Sequence, residues 1–446
     1  MSFLFNGTIL LFCTLFLGTV LGDIKIRKFS VGSGMILFTG IILGYISIRT
    51  ANGIAPDSTY YKAASSLIAN NIITEKISDI FLTLFICAVG LIAGKKLLPV
   101  LKKYGIKFVI IAMVITMVGA GGTWASMFLF SNVNSREIAG SYTGALTSTV
   151  GLSASLEAAA DAAEKKLETF SSLDDEKKAE IVSIVGEPDA DGKFSAEQEA
   201  KLKFAAQEQI GVGHTIGYPF GVLIVMVCIT VIPKIFHIDL EREAALYEQD
   251  FKEEEAGVSQ ENNVQTVFFD MAAYFATLLL GCILGQIKIP LPFIGEIGLG
   301  STGGVLIMAL LLSAKGSLFG LSFRMDEKLL NVIKDIGVAF VLAVTGLRYG
   351  YAVVEALSGS GIYLALCSTL VGCVALMVGF LLGRYVFKIN WFLLSGVVCG
   401  GMTSTPGLGV AMDRTKSELP AIGYGASYPF AVVCMVIFSI ILESFV

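Results

Sequence analysis

Long uncharged apolar runs alternate with short polar breaks along this whole chain, and many approach the ~20 residues an α-helix needs to cross a bilayer. They fall near 3–22, 30–48, 77–98, 106–130 and 212–236, then again near 265–286, 298–314, 332–354, 361–386 and 421–445. Two shorter stretches, 138–160 and 391–412, are interrupted by Gly, Ser and Thr and read as re-entrant hairpins. Lipid offers the backbone no hydrogen bonds, so the pattern predicts an all-α polytopic membrane protein.

The two sets of runs are copies of each other. Phe12 to Ile26 matches Phe275 to Ile289 with ten identities in fifteen positions at an offset of 263. At an offset of 256, Asp79-Ile80 pairs with Asp335-Ile336, Gly90-Leu91 with Gly346-Leu347, and Gly94 with Gly350. At the same offset, the run Gly144 to Leu152 (GALTSTVGL) lies opposite Gly400 to Leu408 (GGMTSTPGL). Tyr218-Pro219-Phe220 answers Tyr428-Pro429-Phe430 at an offset of 210. The fall in offset means that the first half holds a polar insert of about 46 residues, at about 161–210. The chain therefore divides into a first membrane repeat (1–236), a linker (237–264) and a second repeat (265–446). Five crossings per repeat turn the second copy upside down.

Charge agrees with this topology. Lys25, Arg27, Lys28, Lys95, Lys96, Lys102, Lys103, Lys107, Lys315, Arg324, Lys328, Lys334, Arg384 and Lys388 fall on one side, assigned to the cytoplasm. Only Arg49, Lys62, Lys76, Arg136 and Lys288 occupy the opposite short loops, so both termini and the insert are expected outside. The composition, 54% hydrophobic and 15% charged, lies far from the roughly 25% charge of soluble domains. A net charge of −5 with no basic face excludes a nucleic-acid partner. Met1 to Gly22 lacks the positive charge that precedes a signal peptide's apolar region, and its later copy is internal, so it reads as a retained span. The eight cysteines lie in or beside apolar segments without a CxxC pair and read as small hydrophobes; no metal or cofactor site is indicated.

Candidate chemistry sits where helices should break. Glycines and three consecutive hydroxyls in each motif cannot make a smooth lipid-facing helix, so Thr147, Ser148, Thr149, Gly151, Thr403, Ser404, Thr405, Pro406 and Gly407 are expected at hairpin tips facing a solute. Free amides at a half-helix N-terminus favour an anion. Close helix packing by small residues is the plainer reading of either motif alone. Pro219 and Pro429 are expected to interrupt the last span of each half, with Tyr218 and Tyr428 bonding the ligand or the freed carbonyls.

Arg348 stands in an apolar span where its repeat partner is Ile92, which makes it the candidate for carboxylate selectivity; snorkelling, or pairing with Glu355 or Asp335, is the alternative. His214 is expected at the surface mouth of its span rather than in a proton relay. The Glu187 to Phe194 stretch echoes a calcium loop, but Gln198 replaces the twelfth-position acid, so a helical hairpin turned at Gly192 is expected instead.

With its Gly-Ala-Leu-Thr-Ser-Thr, Gly-Gly-Met-Thr-Ser-Thr-Pro-Gly-Leu and two Tyr-Pro-Phe sequences, the chain resembles the aspartate:alanine exchanger family of bacterial secondary transporters. The resemblance implies exchange of acidic amino acids or dicarboxylates across the bacterial inner membrane, a homodimer, and substrate contacts from the Thr-Ser-Thr motifs. Many members carry paired regulatory domains between the halves, and the linker here is too short for them. Val150 stands where the second copy has Pro406, which predicts a less sharply broken first hairpin. Glycine and hydroxyl rings also suit an anion-conducting channel, separable by unitary currents. An enzyme is disfavoured, since no nucleophile with a base accompanies the motifs.

Overall fold

The computed structural model describes residues 2–22, 34–94, 97–173, 175–189, 193–249, 266–291, 295–298, 300–358 and 361–446. Lys25, Arg27, Lys28, Lys95, Lys96 and Gly192 lie outside the described residues. Among the described residues, six helices are long and apolar enough to cross a membrane: α2 (Gly34–Asn52), α5 (Leu97–Leu129), α9 (Ala196–Ile235), α13 (Glu327–Ser358), α14 (Ile362–Leu381) and α17 (Leu419–Glu443). Shorter apolar helices fill the other four expected spans: α1 (Gly7–Gly22), α4 (Glu75–Ala93), α11 (Met271–Gln286) and α12 (Gly300–Lys315). Between the last two runs a two-stranded hairpin, β1 (Lys288–Leu291) with β2 (Gly295–Gly298).

Each interrupted motif forms a helical hairpin: α6 (Ser135–Ala145) with α7 (Thr149–Glu168), and α15 (Trp391–Gly401) with α16 (Thr405–Thr415). A short α3 (Tyr61–Ala69) precedes α4.

The insert is helical: α7 and α9 run into it, and α8 (Asp175–Val185) packs between them around Ala159, Ala163, Ile181, Leu202 and Ala206. Apolar residues at helical spacing on all three helices give this extension its own small core. In the linker, residues 240–249 form a helix, α10. Its buried Glu243 accepts from both Arg384 guanidinium nitrogens at 3.1 and 2.7 Å and from the Trp391 amide at 2.7 Å, pinning the start of α15. At the start of α6 a different pair does this work, Arg136 Nε to Glu443 Oε1 at 2.7 Å.

The helices pack as two bodies. One contains α1, α2, α4, α11, α12 and α13; the other contains α5, α6, α7, α9 and α14 to α17. In the first body the halves exchange helices, with α2 lying on α13 and α12 on α4. Glycine makes this approach possible. A Cβ on Gly350 would lie 2.2 Å from the Ile41 carbonyl oxygen, and one on Gly94 would lie 2.5 Å from that of Leu310. Gly346 against Leu37 and Gly90 against Leu306 repeat the pattern one turn away. Among the described residues, Lys334 Nζ to Glu418 Oε1, at 2.8 Å, ties α13 to the start of α17 and so joins the two bodies.

Candidate functional site

Both Thr-Ser-Thr motifs fold into the same turn. α6 ends with the Thr147 amide bonded to the Gly144 carbonyl at 2.9 Å and the Ser148 amide to that of Thr143 at 2.8 Å; α15 ends with Thr403 to Gly400 at 3.0 Å and Ser404 to Cys399 at 2.8 Å. These are the paired bonds of a Schellman ending, which puts the residue after the C-cap in the left-handed region, usually as glycine. Here that residue is threonine in both copies, Thr147 with φ +54° and Thr403 with φ +48°. A β-branched residue there is strained, so its side chain must supply something glycine cannot.

The hydroxyls supply it across the gap between hairpins. Thr147 Oγ1 donates to the Met402 carbonyl at 3.0 Å and Thr403 Oγ1 donates to that of Leu146 at 2.6 Å. Leu146 and Met402 are the C-cap residues of α6 and α15. Each tip thus satisfies the orphan carbonyl of the other. The serines then start the return helices, Ser148 Oγ accepting from the Gly151 amide at 3.0 Å and Ser404 Oγ from the Gly407 amide at 3.3 Å. Pro406 occupies the first turn of α16, where no amide partner is required. The expectation that Val150 would soften the first hairpin is therefore overturned, since the two turns are alike.

Between the two bodies lies a cavity of about 150 Å³. The hairpin body lines it with Thr147, Ser148, Thr149, Thr403, Thr405 and Pro406, together with Tyr218 and Tyr428 from α9 and α17. From the other body come Arg348 and Tyr349 on α13, Asp79 on α4 and Thr302 on α12. The starts of α7 and α16, with their partial positive charge, and the Arg348 guanidinium meet here, balanced by the single carboxylate of Asp79. The arrangement can hold a small anion by charge and by hydroxyl bonds.

Ser404, its amide partner Gly407, and Gly151, the amide partner of Ser148, are not among the lining residues. Pro219 and Pro429 are not either, and the interruption expected there is absent: α9 and α17 continue through both. Neighbouring helices let a membrane span tolerate an internal proline. His214 is a further correction. It is buried, with Nδ1 2.9 Å from Thr143 Oγ1 and its ring 5.5 Å from that of Tyr218. At the calcium-like loop, Gln198 is committed to a capping box with Ser195 and to the Glu187 carbonyl at 2.9 Å.

Sequence reasoning missed Asp79, Thr302, Tyr349 and Tyr424. Tyr424 bonds Thr405 Oγ1 at 3.1 Å and stacks on Tyr428 at 5.2 Å, one turn along α17. The helical spacing from Tyr428 could have found it, and Asp79 was visible as a repeat position beside an apolar run.

Comparison with known proteins agrees with this architecture. The membrane-region family model described as "Predicted Permease Membrane Region" matches residues 10–234 and 273–444. An uncharacterized transporter of Bacteroides thetaiotaomicron is 33% identical over 179 residues, which are 40% of this chain and 33% of that protein. An uncharacterized transporter of Desulfotalea psychrophila is 32% identical over 171 residues, 38% of this chain and 32% of the relative. One of Geobacter sulfurreducens is 32% identical over 169 residues, 38% of this chain and 31% of the relative. The matched segment thus spans about a third of each relative. With the model covering both halves, the chain is a multi-pass membrane protein, and it belongs to the permease family that its motifs resemble, that of the aspartate:alanine exchangers.

Proposed function

We propose that the chain is a secondary active transporter, working as an antiporter, for small carboxylates such as aspartate, related acidic amino acids and dicarboxylates. The observation that carries this reading is the convergence of Arg348 and two serine-capped helix starts on one cavity of about 150 Å³. A guanidinium holds a carboxylate by two parallel hydrogen bonds, and each helix start adds amide donors and partial positive charge.

The packing supports alternating access as the mechanism. The reciprocal bonds between Thr147 and Met402 and between Thr403 and Leu146, in which residue i meets j and j meets i, support a two-fold relation between the halves. On this reading, five crossings per half set that axis in the membrane plane with the halves inverted. The cavity has one wall on each body, so sliding the hairpin body past α4 and α13 carries the solute from one side to the other in an elevator motion. Within this reading the transporter works as a homodimer in the bacterial inner membrane, with both termini outside.

Counterflow in proteoliposomes tests the reading. Vesicles loaded with aspartate, glutamate, succinate or alanine should take up labelled aspartate in exchange, and Arg348→Ala should abolish this while leaving the folded protein intact by size exclusion. Absence of exchange with all four solutes sinks the substrate assignment, and unchanged uptake by the variant removes Arg348 from the site.

A further inference from the structure

Immediately after α12 the chain makes a tight hairpin, β3 (Ser317–Leu318) with β4 (Leu321–Ser322), whose two-residue loop is Phe319-Gly320. Both loop residues have positive φ, +51° and +80°, as the turn matched to strand twist requires. Asn, Asp or Gly ordinarily fills the first of these positions, since a bulky side chain is strained there. Phe319 also has 94% of its surface exposed, beyond every other large apolar residue among those described. A residue that is wrong for its turn and uncovered by its own protein is kept for a contact outside it.

The geometry around the tip identifies that contact. α11 and α12 have 16 residues each, so they are about 24 Å long at 1.5 Å per residue, shorter than the roughly 30 Å hydrocarbon core. A span that short draws its flanking residues toward the lipid. The strand β3 begins two residues beyond Lys315, the last of α12, so the turn directly continues that short apolar helix. Its base is fixed in place. Leu318 and Leu321 pack on the core, and Asp270 accepts from both the Ser322 amide at 3.0 Å and the Ala273 amide at 2.9 Å, binding the hairpin to the start of α11. Phe268 and Met271, 75% and 63% exposed, lie on the segment bonded to this hairpin and continue the apolar rim. Exposed Lys315 and Lys328 flank it, as basic residues do at the lipid headgroups.

We propose that Phe319 is an interfacial anchor, inserted into the headgroup region of the leaflet where α12 ends and holding the α12–α13 unit at fixed depth. The occupant is lipid, and the inference stands independently of substrate or transport mechanism.

The test uses the full chain in liposomes. Phe319→Trp, in a background carrying Trp124→Phe and Trp391→Phe, should emit at short wavelength, lose most of its emission to lipids brominated near the headgroup end of the acyl chain, and resist aqueous iodide. Emission typical of water, with iodide quenching and no bromolipid quenching, overturns the proposal. Since Trp391 is buried, a second arm leaves both tryptophans in place and puts the photocrosslinker benzoylphenylalanine at position 319. A lipid-mass adduct supports the anchor; a crosslinked dimer, or no adduct, refutes it.

Discussion

Thr147 and Thr403 show how one side chain can offset the strain it introduces. Glycine would relax both turns, yet it would leave the Leu146 and Met402 carbonyls without the donors that now reach them at 2.6 and 3.0 Å. Replacing either threonine with valine keeps the shape and orphans a buried carbonyl, at a cost of about 1–3 kcal/mol. Since each bond holds the tips against each other, the two losses should not add, and the double variant should melt close to the worse single one. Thermal unfolding of the three variants in detergent measures this; strictly additive losses would show that the tips are independent. The residue scale is also where sequence reading was weakest. Hydroxyls in a Gly-rich break announced a tip, but nothing in the string distinguished Thr147, which bonds the opposite hairpin, from Ser404, which caps its own helix.

Among the elements, the hairpins were legible and their extents were not. Glycine, hydroxyl and proline spacing marked the turns at 147 and 403. Helix was expected in the insert, but its continuity with α7 and α9 was hidden, because charged residues that break an apolar span do not break a helix. The prolines misled for the related reason that a missing amide weakens a helix without ending it. What seats each hairpin against its last span is glycine: a Cβ on Gly396 would lie 1.7 Å from the Pro420 carbonyl oxygen, and one on Gly140 would lie 2.1 Å from that of Ile210. Gly396→Ala should therefore force α15 off α17 and destabilise the fold by more than the 1–3 kcal/mol of ordinary overpacking, because backbone cannot yield as a side chain does. Retained expression and melting temperature would contradict this. Removing the Glu243 carboxylate with alanine leaves Arg384 and the Trp391 amide without their shared acceptor and should cost about 3 kcal/mol, read in the same assay.

For the whole molecule, the Lys334 to Glu418 contact is a charged bond between the bodies. Burial raises the Glu418 carboxyl above the ordinary carboxylate range, with Lys334 opposing. A raised acid favours the protonated fold, so its contribution is complete below the unfolded value and is lost as pH rises through the folded one. The melting temperature should fall across that window, and Glu418→Gln should flatten the profile; an unchanged slope would assign the pH dependence elsewhere. The exchange of α2 and α12 also bears on how such a chain is made. As the ribosome releases the first half, the small-residue groove along Gly90 and Gly94 has no occupant, because Leu306 and Leu310 have yet to be translated. The nascent protein must wait, with that seam open to lipid, until its own later sequence arrives to close it. Two fragments divided in the linker should accordingly be unstable when synthesised singly and recover when produced together in one cell.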